Sequence, residues 1–296
     1  MQASQPLASN DAQPPPDASE PTQDQKLRNL FKWNLFLGIF HIVQAAILFG
    51  ITDRDAYAPV YSTFPGPRGN PATWAPVLKR QGYKNIVGYF SAVFLLLAGI
   101  DHLGCALLWR QRYEKGLFEN QNHFRWMEYA LSASFMHIEI GMLSGIMDIH
   151  LLWCIFGLTM TTMLFGSMQE MMNWQLQGEP DKKTLIPFWF GCIPHAFNWL
   201  VLLCYFFVGV SRGTPPAFIW AIIFILFFLD ATFAVNMWLQ QKEIWKWKDY
   251  LYGEYVFCIL SLLAKALLAW LNFGGTFSLQ QGPAANVRNL TSNITF

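Results

Sequence analysis

The segment Tyr255–Phe273, YVFCILSLLAKALLAWLNF, decides the fold because it is a continuous apolar stretch that can cross a lipid bilayer as a helix. Crossing the hydrocarbon takes roughly 20 apolar residues in a helix. Lys265 lies near the middle of this segment and is the only lysine in the interior of any long apolar segment of the chain. An unpaired charge at that depth costs several kcal/mol, so Lys265 predicts a functional site.

The composition of the whole chain is that of a membrane protein. Of the 296 residues, 53% are hydrophobic and only 13% are charged, whereas about 25% are charged in soluble domains. A net charge of +1 and the lack of a Gly-rich phosphate loop exclude nucleic-acid and nucleotide binding. The five cysteines lie in apolar runs at unrelated spacings, which predicts neither disulfides nor metal ligands. We also expect no enzymatic activity.

Seven segments have the length and apolarity of transmembrane helices, which predicts an all-α, seven-helix membrane bundle. These are Leu30–Ile51, Ile86–Trp109, Phe124–Met147, Leu151–Met172, Leu185–Val210, Ala217–Leu239 and Tyr255–Phe273. The connection 52–85 is rich in Pro, Gly, Tyr and Thr, which indicates an ordered flap with short β-strands. We predict a disordered tail at 1–25, a membrane domain at 26–277 and a second tail at 278–296.

The positively charged residues near the helix ends predict the orientation in the membrane. The side that carries the N-terminus has eleven of them: Lys26, Arg28, Lys32, Arg110, Arg112, Lys115, Lys182, Lys183, Lys242, Lys246 and Lys248. The opposite side has seven: Arg54, Arg68, Lys79, Arg80, Lys84, Arg212 and Arg288. This difference favours a cytoplasmic N-terminus and an extracellular C-terminus, where the sequons at Asn289 and Asn293 would be open to glycosylation.

Ionisable residues inside the predicted spans should face the interior of the bundle. They are Asp101, Glu128, Glu139 and Asp230, with His41, His102 and His137. Glu128 follows Arg125 by three residues, a spacing that allows an ion pair between the two. Lys265 also needs an anionic partner, and Glu128 is the acid at the most suitable depth. Ser261 lies one turn before Lys265 on the same helix face.

A lysine in an apolar pocket can condense with an aldehyde, and the protonated Schiff base that results needs a counter-ion. The fifth and sixth spans are rich in aromatic residues that could surround such a ligand, although ordinary packing explains most of them individually. These residues are Phe188, Trp189, Phe190, Phe197, Trp199, Phe224, Phe227, Phe228 and Phe233.

The sequence resembles the heliorhodopsins, a family of microbial-type retinal proteins, over roughly residues 30–275. The shared motifs are Phe124-Arg125-Trp126 with Glu128-Tyr129, Ile155-Phe156-Gly157 with Leu164-Phe165-Gly166, Pro187-Phe188-Trp189-Phe190-Gly191-Cys192, and Ser261-Leu262-Leu263-Ala264-Lys265 with Ala269-Trp270. The resemblance implies all-trans retinal bound covalently to Lys265 and Glu128 as its counter-ion. It also implies an inverted topology, and a homodimer formed through the 52–85 connection.

The resemblance implies further roles for individual residues. His41 and His102 match a polar cluster near the Schiff base that is associated with receiving its proton. Met136 and Trp189 fall where the family packs the polyene. The complete set of candidates for retinal binding is Lys265, Glu128, Ser261, Ser132, Met136, Thr159, Met163, Trp189 and Tyr205.

The chain also departs from the family pattern in ways that bear on transport. Asp101, His137, Glu139 and Asp230 stand where relatives carry apolar residues, and Thr159 replaces an asparagine. Glu139 follows Glu128 by eleven residues, about three helical turns or roughly 16 Å. Outward proton-pumping rhodopsins space their proton acceptor and donor in this way. The alternative explanation is a structural hydrogen-bonded pair between His137 and Glu139, or an opening toward the extracellular loop.

Two functions therefore remain open after the sequence analysis. The first is a photoreceptor that signals to a cytoplasmic partner without moving ions. The second is a light-driven or light-gated proton transporter, whose proton-transfer candidates are His41, His102, Asp101, Glu139 and Asp230. A G-protein-coupled receptor is a third interpretation, which the charge distribution and the lack of an Asn-Pro-x-x-Tyr motif in the last span disfavour.

Overall fold

The computed structural model describes residues 22–53, 60–67, 74–80 and 86–281, and most of these residues are helical. The helices are α1 Gln23–Ile51, α2 Ile86–Leu103, α3 Arg110–Phe118, α4 His123–Leu143, α5 Ile149–Asn173, α6 Ile186–Arg212, α7 Ala217–Gln241 and α8 Tyr250–Gln281. Shorter elements are a π-helical turn at Gly104–Leu108, a 3-10 turn at Trp245–Lys248, and strands β1 Tyr61–Pro67 and β2 Trp74–Arg80. Seven long helices form the predicted bundle, and α3 is a short extra helix.

Six of the helical segments in the described part of the chain are both long and apolar enough to cross a membrane; α4 is not among them. The reason is that α4 carries Arg125, Glu128 and Glu139 among its 21 residues. This helix lies inside the bundle, where it packs against α2 and α5, and most of its residues are buried. Its charged side chains therefore face protein rather than lipid.

The two terminal helices extend beyond the predicted spans. Helix α1 begins at Gln23 because Thr22 and Gln25 form a capping box, in which each side chain accepts a hydrogen bond from the other residue's backbone N–H. The predicted tail boundary at residue 25 therefore falls inside α1. Helix α8 continues to Gln281, so the boundary at 277 also falls inside a helix. Residues 1–21 and 282–296 lie outside the described residues.

The second predicted span, Ile86–Trp109, is not a single α-helix. After Leu103 the backbone makes a π-helical turn, in which Trp109 N donates to Gly104 O at 2.8 Å. A side chain at position 104 would overlap the indole ring of Trp109, so the glycine permits this close approach. The chain then enters α3, which the apolar pattern alone did not predict.

The predicted strands of the 52–85 connection are present as an antiparallel hairpin in which Tyr61 pairs with Arg80. The hairpin is attached to the turn between α4 and α5: Tyr61 N donates to Met147 O at 2.8 Å, and Thr63 Oγ1 donates to Asp148 Oδ2 at 3.0 Å. Asp148 also caps α5. The hairpin therefore lies at the end of the bundle where α4 connects to α5.

Two of the apolar clusters of the bundle lie beside the site. The larger joins α1, α2, α4, α5, α6, α7 and α8, and it includes Phe94, Ile140, Leu202, Ile222 and Leu268. The smaller joins Trp126 and Tyr129 of α4 to Met237 of α7 and Phe257 of α8. Both clusters contact the helix faces that surround Lys265.

Candidate functional site

Lys265 of α8 is buried and faces a carboxylate and a hydroxyl group. Its side chain is only 3% exposed, and its Nζ lies 3.3 Å from Glu128 Oε1 and 3.4 Å from Glu128 Oε2. The same Nζ donates a hydrogen bond of 2.6 Å to Ser261 Oγ, one turn earlier on α8. The ring of Tyr129 covers the ammonium, with its centroid 4.9 Å from Nζ. In these contacts the ammonium stands in for the nitrogen that would carry a bound aldehyde.

Lys265 lines a cavity that is bounded by α4, α5, α6, α7 and α8, with about 970 Å³ of atom-free space including the part that is open to solvent. Its walls are mainly apolar and aromatic, which is typical of sites for hydrophobic cofactors. The residues that line it include Trp126, Tyr129, Met136, His137, Met163, Phe188, Gly191, His195, Leu226, Asp230, Phe233 and Ser261. A buried amine at the edge of a long apolar cavity fits a hydrophobic aldehyde such as retinal.

The predicted retinal-contact residues divide into those that line this cavity and those that do not. Met136 and Met163 line it. Thr159 lies outside the lining and instead accepts a hydrogen bond of 2.9 Å from Asn198 Nδ2. Ser132 is fully buried outside the lining as well, and its hydroxyl has no partner among the described residues.

Trp189 and Tyr205 do not line the cavity, and their role as retinal contacts stays a prediction. Both lie on the outer surface of α6, where Trp189 is 59% exposed and Tyr205 is 42% exposed. Helical periodicity explains the position of Trp189: Pro187 and Gly191 face the cavity, and a residue midway between them points the opposite way. Phe188 supplies the aromatic wall instead and packs against the Trp189 ring at 5.1 Å between centroids.

Arg125 does not pair with Glu128, although the sequence spacing allowed that ion pair. Its guanidinium donates instead to Glu170 of α5 and to Glu254 of α8. Trp126 Nε1 also donates to Glu170 at 2.7 Å. This buried network compensates the charge of the arginine and leaves Glu128 to interact with Lys265.

Neither carboxylate of this network was among the predicted site residues. Glu254 lies just before the last predicted span, and Glu170 lies near the end of the fourth. The signal that could have identified them is Arg125 itself, since a buried guanidinium requires nearby acids.

The two predicted histidines lie next to each other on the α1–α2 side of the site. The rings of His41 and His102 are stacked, with centroids 5.9 Å apart. His102 Nδ1 lies 2.7 Å from Asn34 Oδ1; because that oxygen can only accept, Nδ1 carries the hydrogen. Asp101 and Glu128 line one small polar cavity together with His102. The structure therefore brings four of the predicted ionisable residues into one region.

His137 and Glu139 do not form the predicted pair. Glu139 is fully buried and accepts hydrogen bonds from Ser91 Oγ, at 2.7 and 2.9 Å, and from Asn272 Nδ2 at 2.8 Å. His137 Nε2 instead lies 3.1 Å from Asp230 Oδ2. Residues two positions apart on a helix point to nearly opposite sides, so the two residues have separate environments.

No group of three or more potential metal-ligating side chains lies within the described ranges. Glu128 instead pairs with Lys265, Asp230 pairs with His137, and Glu139 accepts hydrogen bonds from the neutral donors Ser91 and Asn272. The arrangement is suited to holding charge and protons around an apolar ligand.

A bundle of seven helices around a cavity with a buried lysine and an adjacent carboxylate defines the rhodopsin class of retinal-binding membrane proteins. The sequence matches the heliorhodopsin family over residues 30–277, and the chain belongs to that family. It is therefore a multi-pass integral membrane protein of a light-sensing, retinal-binding family. No curated protein matches the chain in sequence.

Proposed function

We propose that this heliorhodopsin is a photoreceptor that detects light through retinal bound at Lys265. The observation that carries the proposal is the buried contact of Lys265 with Glu128 and Ser261 at one edge of an apolar cavity. All-trans retinal, when bound, supplies the absorption of visible light and a light-induced change of shape.

The chain's own residues control the charge at this point. Glu128 stabilises a positive charge on the Lys265 nitrogen through both carboxylate oxygens, and Ser261 Oγ fixes the position of that nitrogen. Glu128, Asp101 and His102, which line one cavity, would be the residues that receive a proton released at the Lys265 nitrogen after light absorption. Because His102 Nδ1 is bonded to Asn34, its Nε2 is the ring atom that can accept a proton.

The signal is transmitted through the helices that these residues join. Loss of the charge at Lys265 weakens the contact between α8 and α4, two helices that the Arg125 network also links to α5. We propose that a cytoplasmic partner recognises the resulting helix movement. The distribution of lysine and arginine places the N-terminus on this cytoplasmic side in the proposal. A homodimer formed through the hairpin of the 52–85 connection belongs to the same proposal.

A light-driven or light-gated proton transporter is the second candidate function. Glu139 favours it: this carboxyl group is fully buried, and its hydrogen-bond partners among the described residues, Ser91 and Asn272, are neutral. A carboxyl group that is buried among neutral groups can hold a proton, whereas a carboxylate beside a cation, such as Glu128 beside Lys265, is stabilised in its ionised form. Together with Asp101, Glu128 and Asp230 it would provide groups for a relay.

Light-induced pH change in cells that express the pigment separates the two functions. A coloured protein that gives no pH change, with or without a protonophore, is the result expected for a photoreceptor. A light-dependent pH change that the protonophore abolishes, and that is lost in Glu139→Gln, would replace this proposal with transport. The matched control on α4 is Ser134→Ala, because the Ser134 hydroxyl donates only to backbone carbonyl groups and should not affect proton movement.

A further inference from the structure

His137 and Asp230 form a second ionisable pair on the wall of the retinal cavity. His137 belongs to α4 and Asp230 to α7, and both line the cavity that starts at Lys265. Their side chains are 4% and 16% exposed, and His137 Nε2 lies 3.1 Å from Asp230 Oδ2. The pair thus joins two helices on a wall that a bound chromophore would face.

The protonation of His137 follows from its two contacts. Its Nδ1 lies 2.9 Å from the carbonyl oxygen of Ala133, which can only accept, so Nδ1 carries a hydrogen. A neutral ring would then place the electron-rich Nε2 atom 3.1 Å from the Asp230 oxygen. Two electron-rich atoms at this distance repel each other, so a second proton on the pair stabilises the contact.

The surroundings of Asp230 favour the arrangement in which the proton resides on the imidazole. Trp199 Nε1 donates a hydrogen bond of 3.1 Å to Asp230 Oδ2, and such a donor stabilises the ionised carboxylate. The Nε2 contact lies off the ideal hydrogen-bond direction, so attraction between opposite charges is its main component. These contacts favour an imidazolium beside a carboxylate.

The other titratable groups that line the same cavity come from three helices. They are Tyr129 of α4, Cys192 and His195 of α6, and Lys265 of α8, whereas the polar residues that α5 contributes, Thr162 and Gln169, are neutral. His137 lies nine residues after Glu128, about 13 Å along the axis of α4. The pair is thus well separated from the contact between Lys265 and Glu128.

We infer that His137 and Asp230 form a proton-binding site that is distinct from Glu128 and that tunes the absorption of a chromophore in the cavity. In a conjugated cation linked at Lys265, excitation moves positive charge away from the nitrogen and toward the part of the cavity lined by the pair. Charges on the wall there act on the excited state more than on the ground state. The spectral part of this inference rests on the proposed binding of retinal.

Nitrogen-15 NMR of the full chain without retinal tests the proton directly. The six histidines of the chain allow the His137 signal to be assigned by its loss in His137→Gln. In the unmodified protein both ring nitrogens of His137 should be protonated at neutral pH, and in Asp230→Asn only one should be. Ser134→Ala, on the same helix, should leave the signal unchanged. A singly protonated His137 in the unmodified protein would overturn the inference.

Absorption spectra of the retinal-loaded protein test the tuning. We expect alkaline titration to produce a spectral shift in addition to the transition governed by Glu128. This additional shift should be lost in Asp230→Asn and retained in Asp230→Glu, which conserves the charge. If the Asp230→Asn variant forms a pigment whose spectrum and titration are identical to those of the unmodified protein, the tuning role is contradicted. A protein that forms no pigment at all would contradict the proposed function instead, while the NMR result would still decide where the proton is held.

Discussion

Lys265 and Glu128 meet across the bundle, with Nζ of the lysine 3.3 Å from Oε1 of the glutamate and both side chains almost inaccessible to solvent. The carboxylate of Glu128 on α4 compensates the buried charge of Lys265 on α8, and the lysine compensates the charge of the glutamate in turn. Removing one partner of a buried pair typically costs about 3–5 kcal/mol, because the remaining charge has no partner. The pair therefore fixes α8 against α4 at the point where the cavity begins.

Substitution of Lys265 by alanine should give a colourless protein after incubation with all-trans retinal. The reason is that the cavity lining contains no second lysine among the described residues to form the covalent link. The measurement is the visible absorption of the purified protein. Lys183→Ala is the matched control, since Lys183 is also buried but pairs with Glu243 outside the cavity, and this variant should remain coloured. Visible absorption in Lys265→Ala would show that the attachment site lies elsewhere.

Substitution of Glu128 by glutamine should make the pigment lose its proton at lower pH and absorb at longer wavelength while protonated. The carboxylate stabilises the charge near Lys265, and this stabilisation is larger in the ground state than in the excited state. Spectrophotometric pH titration measures both effects. If Glu128→Gln and the unmodified protein titrate alike, the counter-ion is another acid, with Asp101 and Asp230 as the candidates.

Substitution of Arg125 by methionine should lower the free energy of unfolding by about 3–5 kcal/mol, because it leaves Glu170 and Glu254 buried without a cation. Denaturation in detergent solution measures this loss. Arg110→Met is the control: Arg110 pairs with Glu114 in a solvent-exposed ion pair, for which about 0.3–0.5 kcal/mol is expected. Equal effects of the two substitutions would contradict the structural role of the Arg125 network.

Asp148 should contribute stability that is lost in acid. Partial burial acts to raise the pKa of Asp148, but hydrogen bonds from Leu151 N, Thr63 Oγ1 and His150 N lower this pKa below its ordinary value. A carboxyl group whose pKa is lower in the folded state stabilises the fold fully above its ordinary pKa of about 3.9, and this contribution disappears as the pH falls through the folded value.

Substitution of Asp148 by alanine should accordingly cost about 1 kcal/mol at neutral pH, the usual effect of removing an N-cap. In acid the difference from the unmodified protein should vanish, which thermal unfolding across a pH series would measure. Asp148→Asn keeps an acceptor oxygen and should lose less at neutral pH. A difference between Asp148→Ala and the unmodified protein that is independent of pH would argue against the ionised cap.

The sequence was sufficient for the bundle because hydrocarbon imposes a minimum length on each apolar helix. All seven predicted spans correspond to helices, and the hairpin lies where the composition of 52–85 indicated strands. Helix α3 was not predicted, because its nine residues are too few and too polar to produce a transmembrane signal. The start of α1 at Gln23 depends on one capping box, which apolar periodicity does not detect.

The site was less predictable than the fold because the sequence provides spacing along one helix but not the partners on other helices. Ser261 and Lys265 are four residues apart on α8, so their contact follows from helical geometry alone. The family position of Trp189 does not indicate which face of α6 meets the cavity, and Trp189 lies outside the lining. The true partners of Arg125, Glu139 and His137 all lie on neighbouring helices.

The π-helical turn at Gly104–Leu108 has a consequence for sequence alignments of this family. Such a turn contains one residue more than an α-helical turn, so a relative with an uninterrupted helix here should be one residue shorter. The gap must fall between His102 and Tyr113, which lie on either side of the turn and both contact Asn34. Placing it elsewhere would rotate one of the two side chains by about 100° away from the asparagine. The length of the sequence at this turn thus predicts which relatives can form the contacts of Asn34 with His102 and Tyr113.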